Sequence, residues 1–300
     1  MTNHRPFGFL RSILFLTALA AASACTKKNS HSSPAAAPGA KAPAESGSLP
    51  LGIDASKLDE LKRKLFDKIV NREPSACGKG HSLLHSVQHD SSCRASFYAV
   101  RYVARLAEAG SSEAEINEKL EQRFRAPRVP SIDVSQAPSQ GAASGRVTLV
   151  EFSDYECDHC KQAQALMPKL LADYPKDLTL YYKHYPLSGH VAGLNAALGA
   201  VAADKQGKFW QYNEKVWENS DHLSPATLES VAKTIAGLDF SRWYSDVGTE
   251  EVRSHMLRDR AEGRNLEIHR TPALFINGRR YADALDVPSL KDWIDEELGR

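Results

Sequence analysis

The 300-residue sequence predicts an α/β domain in its C-terminal half, preceded by a small all-α unit. Three observations carry this. Apolar residues recur at helical spacing between about 54 and 124, which predicts short packed helices. The run Val147 to Phe152 reads as a buried strand and leads directly into a helical pattern. Composition is that of a globular protein, 42% hydrophobic and 25% charged, with length enough for about two domains. It excludes collagen, coiled coil and a polytopic membrane protein. With 38 Lys+Arg against 37 Asp+Glu the net charge is only +1, so no nucleic-acid partner is expected.

Residues 1–24 read as a signal peptide. Arg5 and Arg11 precede the apolar run Ile13 to Ala22, which is too short to cross a bilayer core of about 30 Å. Ala22-Ser23-Ala24-Cys25 resembles the lipobox of bacterial lipoproteins, which would make Cys25 the lipidated first residue of the mature chain. Ordinary cleavage after Ala22-Ser23-Ala24 is the alternative and would leave Cys25 a free thiol. Thr26 in place of an Asp suits, by that resemblance, the outer membrane. Residues 25–50 are rich in Ala, Pro and Ser without a hydrophobic period and read as a disordered tether. Export would put the remaining cysteines in an oxidising compartment, at the periplasmic face of the cell envelope.

Residues 51–127 read as the helical domain. A first helix is expected over 54–72, with Asp54 as N-cap and Leu58, Leu61, Leu65 and Ile69 as its stripe. A second is expected from Ser92 to Ala109, ended by Gly110, and a third from Ser111 through Phe124, broken by Pro127 and Pro130. A unit this small is marginal, and a Cys77–Cys93 staple would add about 3 kcal/mol on the loop-closure model. Cys77, His81, His85, His89 and Cys93 recur every four residues. A continuous helix would hold the two cysteines about 24 Å apart, so a disulfide requires the chain to turn between them. Three readings of the histidines stay open: solvent-facing neighbours of a structural disulfide, a transition-metal site, or a second redox-active cysteine pair. Arg101 to Gly110 and the following Ser111 to Ile116 resemble the helical domain of the cytochrome c maturation protein CcmH. Cys77-Gly78-Lys79-Gly80 lacks that family's second cysteine, so no activity is carried over.

A linker is expected over 128–145. After the strand, Ser153-Asp154-Tyr155-Glu156 leads into Cys157-Asp158-His159-Cys160 and a helix from about Asp158 to Tyr174. This order puts Cys157 at a helix N-terminus, where unpaired amide N–H groups and the helix dipole favour an anion, here a thiolate. Cys160, one turn in, is spaced to close a disulfide with it.

Residues 146–300 resemble the DsbA-like branch of the thioredoxin fold, with a helical insertion at about 188–266. Cys157-Asp158-His159-Cys160, Tyr185-Pro186-Leu187, Gly207-Lys208-Phe209-Trp210, Val216-Trp217-Glu218-Asn219 and Thr271 to Gly278 carry the resemblance. It implies a protein disulfide oxidoreductase in which Cys157 and Cys160 exchange disulfides with protein thiols and a redox partner recycles the pair. It implies that Pro272 is a cis-proline facing the cysteines and that Thr271 presents backbone groups to a bound peptide. His159, between the cysteines as in the oxidase, would favour the reduced thiolate and so point to oxidase rather than reductase. The alternative is a histidine with no tuning role. The sign of Asp158, in place of the oxidase's proline, is open. Glu151 stands where these proteins carry a buried acid that handles the proton of the inner cysteine; the alternative is a strand end at which its carboxylate reaches water.

Trp210, Trp217, Tyr212, Leu194 and Leu198 read as core, and the charges from Arg253 to Arg264 as a solvated face. No phosphate loop, haem-type motif or paired C-x-x-C zinc pattern occurs, so neither a cofactor nor a metal is assigned. The competing function is a non-catalytic lipoprotein that binds a partner or a metal through its helical domain. Mass spectrometry of the mature N-terminus tests the anchor: a lipidated Cys25 is expected, and an unmodified Cys25 overturns it.

Overall fold

The computed structural model describes residues 49–299 apart from Leu51, so the signal-peptide segment and the lipidation site Cys25 lie outside the described residues. The first helix, α1, is Glu60–Arg72 and starts later than expected. Its N-cap is Asp59, which accepts from the Lys62 amide at 2.9 Å, whereas Asp54 turns back on Ser56. The buried face is Phe66, Ile69 and Val70, and Leu61 is 78% exposed, so the core stripe is rotated from the one expected. A short helix not anticipated from the sequence, α2 (Leu83–His89), fills the loop between the disulfide cysteines. It is followed by α3 (Arg94–Glu108), α4 (Glu113–Leu120) and a π-turn, Glu121–Arg125. Ser112 and Glu115 form a capping box at the start of α4.

The Cys77–Cys93 disulfide is formed, with Cα atoms 5.9 Å apart, because α2 lets the chain fold back on itself. Cys77 is exposed and Cys93 buried. The imidazoles of His81, His85 and His89 form a ladder, with ring centroids 4.9 and 4.7 Å apart. Among the described residues no group of three or more His, Cys, Asp or Glu side chains is arranged to hold a metal ion.

Five strands form one sheet in the order β1-β3-β2-β4-β5. They are β1 (Ser139–Gly141), β2 (Val147–Ser153), β3 (Leu178–His184), β4 (Ala273–Ile276) and β5 (Arg279–Arg280). β2 and β3 run parallel, joined across α5 (Asp158–Asp173), and every other pairing is antiparallel. The stretch expected as a free linker is thus partly sheet: β1 pairs with the edge of β3, and the Val129 amide donates to Gly278 O at 2.8 Å. This polar, wholly exposed edge strand has no hydrophobic alternation to announce it. Asn277 and Gly278, at φ 47° and 76°, make the tight turn between β4 and β5.

The stretch between β3 and β4 is helical: α6 (Val191–Asp204), α7 (Phe209–Glu218), a 3₁₀ turn, α8 (Pro225–Thr234), α9 (Phe240–Val247) and α10 (Glu250–Asn265). A final helix, α11 (Val287–Leu298), packs Leu290, Trp293 and Ile294 into the core between the sheet and α5. Among the described residues no helix is long and apolar enough to cross a membrane.

The helical unit is joined to the rest through α11. The fully buried Arg123 side chain donates to Asp292 at 2.8 Å and Glu296 at 3.0 Å, and its guanidinium lies 4.8 Å from the Trp293 ring centroid. Arg101 pairs with Asp292 and Arg105 with Asp283. Lys291 of α11 reaches Asp173 at the C-terminal end of α5, so this junction lies at the opposite end of α5 from Cys157. Removing one member of such a buried network strands its partners. Arg123→Leu is expected to cost about 3–5 kcal/mol in urea denaturation, and a loss under about 1 kcal/mol would show that the network contributes little.

Candidate active site

Strand β2 is covered on both faces and brings Glu151 and Ser153 to the side on which α5 packs. The chain then turns on Asp154. Its buried carboxylate accepts from the amides of Glu156 at 3.0 Å and Leu187 at 2.9 Å and pairs with His190 Nδ1 at 2.6 Å, while its carbonyl accepts from the Cys157 amide at 3.1 Å. Gly193 is required beside it, because a Cβ there would sit 2.3 Å from Asp154 Oδ1. The turn and the start of α6 therefore brace each other behind the cysteines.

Cys157 is the N-cap of α5 and partly exposed; Cys160, three residues on, is fully buried. Both are free thiols. Across from them the Thr271–Pro272 peptide is cis, and Thr271 O lies 3.4 Å from Cys157 Sγ. The Cys157 thiol is drawn down to about 5, chiefly by the hydrogen bond that the Cys160 thiol donates to it. Partial burial opposes this, and Thr271 and the backbone amides of Cys160 and His159 add to it. The helix N-terminus thus contributes as the spacing predicts, but the neighbouring thiol contributes more. The His159 side chain is exposed, and its contribution comes through its backbone amide. Burial pushes the Cys160 thiol up, reinforced by the hydrogen bond to Cys157 and the charge of Glu151.

Glu151 is fully buried, so its carboxylate does not reach water. Burial raises it to about 7, offset in part by Ser153 and Gln164. Its Oε2 accepts from Gln164 Nε2 at 2.7 Å, and its Oε1 has no partner. The structure therefore brings Cys157, Cys160, Glu151, Thr271 and Pro272 together and leaves Cys77, Cys93 and the three ladder histidines on the helical unit. The sequence reading missed Asp154, His190 and Gln164. Only Gln164 carried a local signal, lying four residues after Cys160 on the same face of the helix.

Residues 134–296, more than half of the chain, match a family model described as thioredoxin. The chain belongs to the thioredoxin family. Its thioredoxin fold has the DsbA-like form with a helical insertion. BdbD from Bacillus subtilis is similar in fold, with a TM-score of 0.52, 24% identity, and coverage of 56% of this chain and 96% of that one. A thioredoxin-like oxidoreductase from Silicibacter pomeroyi matches at TM-score 0.50 and 27% identity, covering 55% and 93%. In sequence the chain is 30% identical over 162 residues to Na(+)/H(+) antiporter NhaA 1 of Mycolicibacterium gilvum, covering 53% of this chain and 26% of that protein. The chain thus spans about a quarter of the length of this curated relative. With both cysteines in place, the thioredoxin domain has the equipment of a protein disulfide oxidoreductase.

A thiol drawn down from 9.0 to about 5 is expected to alkylate with a pH profile centred near 5. The same depression adds stability to the reduced protein that is fully present above about pH 9 and lost as pH falls through about 5. Only the reduced form titrates at Cys157, so the difference in melting temperature between reduced and oxidised protein should move in favour of the reduced form as pH rises from 5 to 9. A flat difference would contradict the depressed thiol.

Proposed function

We propose that the protein is an exported thiol:disulfide oxidoreductase that acts on polypeptide cysteines and works as an oxidase. The observation that carries this reading is the contrast between a partly exposed sulfur ionised at neutral pH and a buried thiol held protonated beneath it. Stabilising the reduced form makes the disulfide a stronger oxidant.

In that direction a substrate thiolate attacks the Cys157 sulfur of the oxidised pair. A substrate–Cys157 disulfide forms, the Cys157–Cys160 bond breaks, and Cys160 leaves as a thiolate. Protonated Glu151 gives its proton to that sulfur. A second substrate thiolate then attacks the substrate sulfur of the mixed disulfide, forming the substrate disulfide and releasing Cys157 as its stabilised thiolate. The substrate has lost two electrons and the enzyme pair has gained them, so a recycling partner must accept two electrons to restore the disulfide. Thr271, whose carbonyl lies beside Cys157, would meet the substrate through its backbone groups. A lipid at Cys25 would anchor the enzyme to the outer membrane at the periplasmic face of the envelope.

Oxidation of a reduced peptide by the oxidised protein tests the reading. Cys157→Ala and Cys160→Ser are each expected to abolish it, since neither can hold the oxidising disulfide. Cys160→Ser given a disulfide-bonded peptide is expected to accumulate the mixed disulfide, as Cys157 attacks that bond and one peptide thiol leaves; a Cys157→Ala protein as active as the parent overturns catalysis. A reduction potential nearer about −120 mV than about −270 mV is expected for an oxidase. A value near the lower figure would make the protein a reductase.

A further inference from the structure

Beneath the cysteines a chain of side-chain amides runs from the helical insertion to Glu151. It starts at Trp217 of α7, whose indole Nε1–H donates to Asn213 Oδ1 at 3.1 Å; the Tyr155 hydroxyl donates to the same oxygen at 2.7 Å. An indole N–H can only donate, so Asn213 must present its oxygen to Trp217 and its NH₂ the other way. That NH₂ donates to Gln164 Oε1 at 3.4 Å. With its oxygen so engaged, Gln164 must direct its NH₂ to Glu151 Oε2, at 2.7 Å. One donor-only group on α7 thus sets the orientation of two amides in turn and delivers an N–H to one oxygen of the buried acid.

We propose that Gln164 is a positioning residue: it pins Glu151 Oε2 as an acceptor, confines the exchangeable proton to Oε1, and is itself oriented from α7 through Asn213 and Trp217. Oε1 is buried and no donor bonds it, although the nearby Ser153 hydroxyl, itself unpartnered, also favours the ionised acid; this leaves Oε1 available for a proton in transit. Transfer to Cys160 is then a single exchange: Glu151 carboxylic acid and Cys160 thiolate become carboxylate and thiol, with no electron moved. The reverse exchange serves the opposite direction of catalysis.

An N–H donor aimed at one oxygen favours the ionised acid, so the chain also sets where Glu151 titrates. The titratable groups facing Glu151 are Cys157 and Cys160 from α5, Tyr155 from the turn and Tyr182 from β3. Strand β4 pairs with it at Leu274 and brings no titratable side chain, and α7 contributes only the amide of Asn213. Tyr155 and Tyr182 are themselves held protonated by burial, so among these groups only the cysteines compete with Glu151 for charge near neutrality.

The purpose of the device rests on the disulfide-exchange reading, but its test does not. The carboxyl stretch of Glu151 is followed by infrared difference spectroscopy against pH in the reduced full chain, with Glu151→Gln to assign the band. Gln164→Leu is expected to raise the Glu151 midpoint by about one pH unit, tenfold in proton affinity, since it deletes a hydrogen bond to a charged group. Trp217→Phe, which keeps an aromatic though smaller ring and deletes the N–H, is expected to raise it by less. The thiolate titration of Cys157 serves as the internal reference. A folded Gln164→Leu protein that titrates as the parent does overturns the proposal. If that variant does not fold, Trp217→Phe decides: a raised midpoint supports the chain and an unchanged one overturns it. A shift in Gln164→Leu with none in Trp217→Phe overturns the part assigned to α7. A shifted midpoint in a protein that exchanges no disulfides would leave this inference standing and remove the proposed function.

Discussion

A hydrogen bond between two sulfurs turns one pair of chemically identical residues into two different acids. Cys157 caps α5 and receives the Cys160 thiol together with two backbone amides; Cys160, inside the first turn, gives its proton to that contact and is sealed from water. Everything else at the site supports this division. The turn at Asp154 sets the angle at which α5 begins, and the Thr271–Pro272 segment closes the opposite side. Had the two cysteines equal exposure, neither would be marked as the nucleophile of the proposed exchange.

The division has a cost, which is borne by the layer between the sheet and the helical insertion. A carboxyl under Cys160 is of use only if it can hold a proton near neutrality, and burial without a nearby cation is what raises it. The layer meets that condition with polar groups that stay neutral. Tyr155 and Tyr182 are pushed well above their usual range, and His184, fully buried, is pushed down to about 3 and so carries no charge at neutral pH. Phe209 and Trp217 of α7 complete the cover. The insertion thus does more than enlarge the fold: its helix α7 helps close the layer in which Glu151 is buried.

The cationic side chains are concentrated elsewhere. Arg101, Arg105 and Arg123 tie the helical unit to acids on and beside α11, and Lys183 pairs with Asp259 and Glu262 on the far face of β3. A guanidinium beside Glu151 would pull its proton off and leave nothing to transfer. Joining the helical unit through α11 keeps those charges at the opposite end of α5 from the cysteines. It also leaves the Cys157 end uncovered by that junction, as the proposed exchange with polypeptide thiols requires.

How much of this could be read in the residues depended on how local each determinant is. The strand, turn, cysteine pair and helix are contiguous, and an acid in an apolar strand is conspicuous, so the centre of the site was legible. The start of α1 was not, because Asp54 and Asp59 both qualify as caps and the choice fell to the packing of Phe66, Ile69 and Val70 against α2 and α3. Strand β1 was hidden for a similar reason: Ser139, Gln140 and Gly141 pair through their backbones, which any sequence supplies. Gln164 is the sharpest case. Its place four residues after Cys160 puts it on the right face of α5 but gives no role, which comes from Trp217, more than fifty positions away, able to donate a hydrogen bond but never to accept one. A pattern search reads residue types in order; the orientation of an amide is set by its neighbours in space, and so that part of the site could be seen only once the chain was folded.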